Sequence, residues 1–123
     1  MSFCTAINCI DGRTQRPVSD YLMRRFGAKY VDTVTEAGPV RHLASEPASE
    51  TTRSIFSRVD ISVEKHGSSG IALVAHHDCA GNPVTEERQK AQLATAVDLL
   101  RKQYPGTEVI GLWVGSNWQV SEA

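Results

Sequence analysis

Apolar and polar positions along this chain switch repeatedly between strand-like runs and helical spacing. Phe3 to Asn8 is a short apolar-rich run that predicts a buried strand. Ser19 is placed to cap a short helix with Leu22, Met23 and Phe26 on one face, and Gly27 to stop it. Tyr30 to Val34 predicts a second strand. Residues 37–49, with Gly38, Pro39 and Pro47, read as loop or broken helix. From about Thr51 to His66, Ile55, Phe56, Val59 and Val63 recur at helical spacing, and Gly67 ends the run. Ile71 to Ala75 is apolar throughout and is the clearest strand. Thr85, Glu86 and Glu87 open a helix whose buried stripe is Leu93, Ala96, Val97, Leu100 and Tyr104, broken by Pro105 and Gly106. Val109 to Val114 predicts the fourth strand. The order β-α-β-α-β-α-β implies an α/β fold with a parallel sheet between helical layers.

Ligands in such sheets bind beyond the carboxyl ends of the strands, where strand order reverses. Two motifs sit at predicted strand ends: Cys9-Ile10-Asp11-Gly12-Arg13 after the first, and His76-His77-Asp78-Cys79 after the third. They meet if those two strands are neighbours, an order the pattern alone leaves open. Together Cys9, His76, Cys79 and Asp11 offer two thiolates, an imidazole and a carboxylate, a full tetrahedral zinc set. The two-residue spacer between His76 and Cys79 lets both face one ion, and Arg13 adds a cation beside Asp11. Cys4 reads as core, and His42 and His66 as structural or solvated. His77 should point away from His76, and Asp78 should fix the turn through backbone hydrogen bonds.

Bulk properties narrow the function. At 123 residues the chain is expected to form one domain, 1–123, with a core that needs no disulfide staples. A net charge of −1, with scattered Lys and Arg, argues against nucleic-acid or anionic-membrane partners. No run approaches a bilayer span, and the first residues lack a signal-peptide pattern, so the cytoplasm is the expected location. Three cysteines in a reducing compartment favour metal or thiol chemistry over structural disulfides. Gly67-Ser68-Ser69-Gly70 precedes a strand and lacks a Lys-Ser/Thr pair, so it is not a phosphate loop, and no Gly-x-Ser-x-Gly elbow occurs.

The paired motifs resemble those of the β-class carbonic anhydrases, Cys-x-Asp-x-Arg after the first strand and His-x-x-Cys after the third. Glu64-Lys65-His66-Gly67 leading into Ile71–Ala75, Ala37-Gly38 after the second strand, and Val109–Val114 extend the likeness over roughly residues 3 to 120. The resemblance implies a four-stranded parallel sheet in the order 2-1-3-4 with the motifs side by side. It implies Zn2+ held by Cys9, His76 and Cys79, with water or Asp11 in the fourth place. It further implies hydration of carbon dioxide to bicarbonate by hydroxide on that zinc, with Asp11 orienting the hydroxide and Arg13 holding Asp11. Asp11 and Arg13 would also form a switch: paired, Asp11 leaves the metal; unpaired, it closes the tetrahedron.

Departures from the family pattern accompany the likeness. The chain starts almost at its first strand, so the family's N-terminal helical arm, with its pocket glutamine, is expected to be missing. Thr35-Glu36 stands where a basic residue and an asparagine are usual, and Ala80 then Gly81 where a glycine follows the second thiolate. Three alternatives stand beside carbon dioxide: hydrolysis of carbon disulfide or carbonyl sulfide, a non-catalytic zinc site, and a reversible Cys9–Cys79 disulfide. A homodimer or higher homo-oligomer is expected. Trp118 would bury against a second subunit, and Trp113 either there or in the core.

Overall fold

The computed structural model describes residues 2–123; Met1, which the reading of the N-terminus includes, lies outside them. Five strands form one sheet in the order β2-β1-β3-β4-β5. They are β1 (Phe3–Cys9), β2 (Tyr30–Glu36), β3 (Gly70–His76), β4 (Glu108–Val114) and β5 (Val120–Glu122). The first four are parallel, and β5 runs antiparallel to β4. The expected order 2-1-3-4 is therefore present, extended by one strand. That strand is only three residues long and largely exposed, so it has no apolar run to announce it.

The helices are α1 (Gln15–Arg25), α2 (Pro39–Ser45), α3 (Glu50–Asp60) and α4 (Glu86–Gln103). A 3-10 turn, Gly12–Thr14, leads into α1, and a π-helical turn, Ile61–Lys65, prolongs α3. Ser49 caps α3 by accepting from the Thr52 N–H, and Thr85 caps α4 by accepting from the Arg88 N–H.

One sequence expectation needs correction. Ser19 is not a cap: it lies inside α1, which starts four residues earlier, out of the 3-10 turn. Val18 and Leu22 form its buried face, while Met23 is 41% exposed. Residues 37–49, read as loop or broken helix, hold the short helix α2 over 39–45 before the turn into α3. Pro39 stands at the helix start, where its missing N–H costs nothing, and Val40 and Leu43 are buried.

Side chains alternate across β3, and this divides the core. Ile71, Leu73 and Ala75 pack with α2, α3 and α4, where Val40, Leu43, Ile55, Val59, Leu93 and Leu100 converge. Ala72 and Val74 face the other layer, where Val18 and Leu22 of α1 meet Cys4, Ala6 and Leu112. All seven residues of β3 are buried, as a central parallel strand requires. Trp113 belongs to the first core. No helix among the described residues is long and apolar enough to cross a membrane.

The order β2-β1-β3-β4 makes β1 and β3 neighbours although α1, β2, α2 and α3 separate them in sequence. The chain leaves these two strands in opposite directions, which opens a crevice at their carboxyl ends. Cys9 ends β1 and His76 ends β3, so both motifs lie at that crevice.

Candidate metal centre

Cys9, His76 and Cys79 are the cluster that could hold a metal ion: their ligand atoms lie within 4.8 Å of one another. All three are buried, at 3%, 1% and 5% exposure. The Cys9 and Cys79 sulfurs are 3.9 Å apart and both cysteines are free. Two thiolates sharing one tetrahedral zinc at Zn–S bonds of about 2.3 Å stand roughly 3.8 Å apart. The spacing suits one ion and is far too long for a disulfide.

The imidazole of His76 is oriented by its own loop. Its Nδ1 lies 2.7 Å from the His77 carbonyl, which can only accept, so Nδ1 carries the proton. Nε2 then holds a lone pair, and it is buried with no hydrogen-bond partner. An orphaned buried acceptor beside two sulfurs is what a metal ligand leaves when the metal is removed from account. Gln89, 3% exposed on α4, donates from Nε2 to the His76 carbonyl at 2.9 Å and fixes the ligand's backbone.

Electrostatics favour thiolate at Cys9. A hydrogen bond from Cys79 holds its thiol well below the ordinary value against the cost of burial, helped by His76 and the backbone of Gly38 and Asp11. Cys79 is pushed up as the partner that keeps the shared proton, although the backbone of Gly81 and Asn82 faces its sulfur. Burial works against a charged His76, but the nearby Cys9 sulfur and the His77 carbonyl raise its pKa overall. The sulfur does this through proximity, without meeting Nε2 in hydrogen-bonding geometry.

The loop after β2 reaches the ligands because two glycines let backbone touch backbone. Gly38 has φ +59°, and a Cβ there would lie 2.7 Å from the Gly81 carbonyl carbon and oxygen. The cavity that the three ligands line with Gly38, Val40 and Asn82 is too narrow to admit a water molecule. Ile10, between Cys9 and Asp11 in the chain, is 67% exposed.

Asp11 and Arg13 form a pair outside the ligand cluster. Arg13 Nη2 donates to Asp11 Oδ2 at 2.7 Å and Nε to Oδ1 at 3.1 Å, while the Arg13 N–H donates to Oδ1 at 2.9 Å. The guanidinium holds the Asp11 carboxyl at about 2 despite some burial, and Arg13 is raised in return. Arg13 also reaches Asp78, through Oδ2 at 3.3 Å and the carbonyl at 3.2 Å. The Asp78 carboxylate, expected to fix its turn through backbone hydrogen bonds, is instead engaged by Arg13. His77 is exposed and donates its N–H to the Val114 carbonyl. Cys4, fully buried, is core. Gln15 was invisible as a site residue, yet its Nε2 donates to the Cys9 carbonyl at 2.7 Å and the Asp11 carbonyl at 3.1 Å. Gln89 carried a legible signal: a polar residue on the buried stripe of α4.

Three comparisons bear on this arrangement. Residues 1–123 match the model of a family described as putative carbonic anhydrase. No curated protein matches the chain. A structure from a study of two tetrameric β-carbonic anhydrases of Sordaria macrospora superposes with a TM-score of 0.65 at 12% identity, covering 97% of this chain and 79% of that one. The β-carbonic anhydrase CafA of Aspergillus fumigatus superposes with a TM-score of 0.56 at 13% identity, covering 98% and 74%. At such identities the structural likeness carries the fold alone.

Proposed function

The chain belongs to the putative carbonic anhydrase family over its whole length, and from that premise we propose that it is a zinc-dependent hydratase of carbon dioxide. The observation that carries this reading is the buried Cys9, His76, Cys79 cluster, its ligand atoms within 4.8 Å of one another and His76 Nε2 without a hydrogen-bond partner. These three residues would hold the zinc. Bound there, the ion would supply a Lewis acid that lowers the pKa of water toward neutrality.

The chain's own residues do the remaining work. The His77 carbonyl keeps the proton on His76 Nδ1, and Gln89 keeps the ligand's backbone from shifting. Arg13 holds Asp11 beside the cluster and keeps it ionised. A carboxylate with a pKa of about 2 is too weak a base to take a proton at neutral pH. Asp11 would therefore act as an acceptor: its carboxylate oxygens would take a hydrogen bond from water or hydroxide in the site and orient it, while the proton that hydration releases passes to solvent rather than to Asp11.

The same reading takes residues 1–123 as one domain in the cytoplasm that assembles with copies of itself. Related enzymes described as tetrameric support the assembly.

Stopped-flow hydration of carbon dioxide at neutral and alkaline pH, on protein carrying one zinc per chain, tests the proposal. Turnover well above background, lost in Cys79→Ala, is expected. A zinc site without turnover is the competing reading, favoured by the narrowness of the cavity at the ligands. Stoichiometric zinc with no hydration at either pH would establish that reading instead, unless carbon disulfide or carbonyl sulfide is hydrolysed.

A further inference from the structure

Among the described residues, two that are not glycine hold a positive φ: Asp78 at 58° and Trp118 at 60°. For an aromatic residue this is a strained backbone, one that persists only where its surroundings impose it. Both residues touch Arg13. Asp78 does so through its carboxylate and carbonyl. Trp118 lays its ring over the guanidinium, with Cζ 4.4 Å from the ring centroid. The same ring lies 6.3 Å from those of His76 and His77.

Trp118 stands on the turn between β4 and β5, closed by its N–H to the Gly115 carbonyl at 2.8 Å. A glycine would satisfy this turn without strain. Packing alone asks for no left-handed tryptophan either, since the half-buried ring only flanks the α1-side core. The conformation does achieve one thing: it turns an aromatic face onto a half-exposed cation.

We propose that Trp118 is a positioning residue of the metal centre, whose ring confines Arg13 against Asp11 and so keeps the Asp11 carboxylate away from the metal. The clamp closes from three places in the fold. Asp11 comes from the end of β1, Asp78 from the loop after β3, and Trp118 from the β4–β5 turn. Without the ring, Arg13 keeps only its partly exposed polar contacts with Asp11 and Asp78 and parts from Asp11 more readily. Asp11, two residues from Cys9, then becomes available as a fourth ligand. This inference rests on reading Cys9, His76 and Cys79 as metal ligands, and it does not require turnover.

The test uses zinc affinity, by competition with a chelator, and the visible absorption of the cobalt(II)-substituted protein, which reports the ligand set. Trp118→Gly removes the ring and relieves the positive φ, and urea unfolding of each variant separates any loss of core packing from the effect on the metal site. It should tighten zinc by roughly threefold to thirtyfold, the range a cation–π contact supports, and alter the cobalt spectrum. Trp118→Phe keeps an aromatic face and should restore most of the wild-type behaviour. Arg13→Ala should reproduce the Trp118→Gly spectrum, and Trp118→Gly should add nothing in that background. An unchanged cobalt spectrum and affinity in Trp118→Gly would overturn the clamp, as would an effect that survives in Arg13→Ala. Failure of the wild-type chain to bind zinc would overturn the metal reading and the clamp together.

Discussion

Replacing Gly81 with alanine asks whether the site depends on two loops lying backbone to backbone. A Cβ at position 81 would stand 2.5 Å from the Ala37 carbonyl carbon, 2.7 Å from the Gly38 nitrogen and 2.9 Å from the Ala37 oxygen. All three are backbone atoms, so no side chain can swing aside. Ordinary contact begins at 3.4 Å, and 3.4 minus 2.5 requires the loops to part by roughly 0.9 Å. Overpacking of this kind costs about 1–3 kcal/mol. The shift also disturbs the sulfurs, because the Gly38 backbone faces Cys9 and the Gly81 backbone faces Cys79. Shifting either loop should therefore also weaken zinc. Urea unfolding and zinc competition measure the two effects. Gly12→Ala is the control, since a Cβ there meets nothing within 4 Å, and its stability should stay within about 0.5 kcal/mol of wild type. A Gly81→Ala protein that unfolds at the wild-type urea concentration and binds zinc as tightly would refute the reasoning.

Other expectations follow from the same geometry. Gln89→Met should cost about 1–3 kcal/mol in urea unfolding, because it strips a buried carbonyl of its donor, and it should weaken zinc as well; a neutral substitution would separate Gln89 from the ligand. Chelation should lower the melting temperature reversibly, since zinc at 100 times its Kd stabilises by about 2.7 kcal/mol; Cys79→Ala should abolish the response to added zinc. Cys4, pushed up to about 11 by burial and by the charge of Asp32, should resist alkylation at pH 8 until the chain is denatured. The folded state holds that thiol protonated while the unfolded chain releases it near 9, so its contribution to stability is full below pH 9 and falls as pH rises toward 11. Urea midpoints that do not fall between those values in wild type, relative to Cys4→Ala, would contradict this.

Much of the architecture was legible because local physics wrote it. A run such as Ile71 to Ala75 has no face to show to water, so it reads as a doubly covered strand, and it is one. The stripe on α4 reads equally well, since each member is buried. Short elements were harder. Nothing in Val120–Glu122 signals a strand, because its pairing is with Leu112–Val114 rather than with a local pattern. The start of α1 was misread because Ser19 has the chemistry of a cap, while the 3-10 turn built on Asp11 had already opened the helix.

The sequence by itself carried the candidate donor set, since Cys9 and His76 end strands that their neighbours specify and Cys79 follows three residues after His76. It also carried the Asp11 and Arg13 pair, because two residues of separation in a tight turn suffice to join them. Only the tertiary structure decided which distant groups complete the centre. Gln89 meets His76 across 13 positions, Asp78 meets Arg13 across 65, and Cys9 meets Cys79 across 70. Trp118 comes to Arg13 from beyond β4. No local propensity encodes such meetings. They follow from the order of the strands, which is settled by how the whole chain buries its apolar faces.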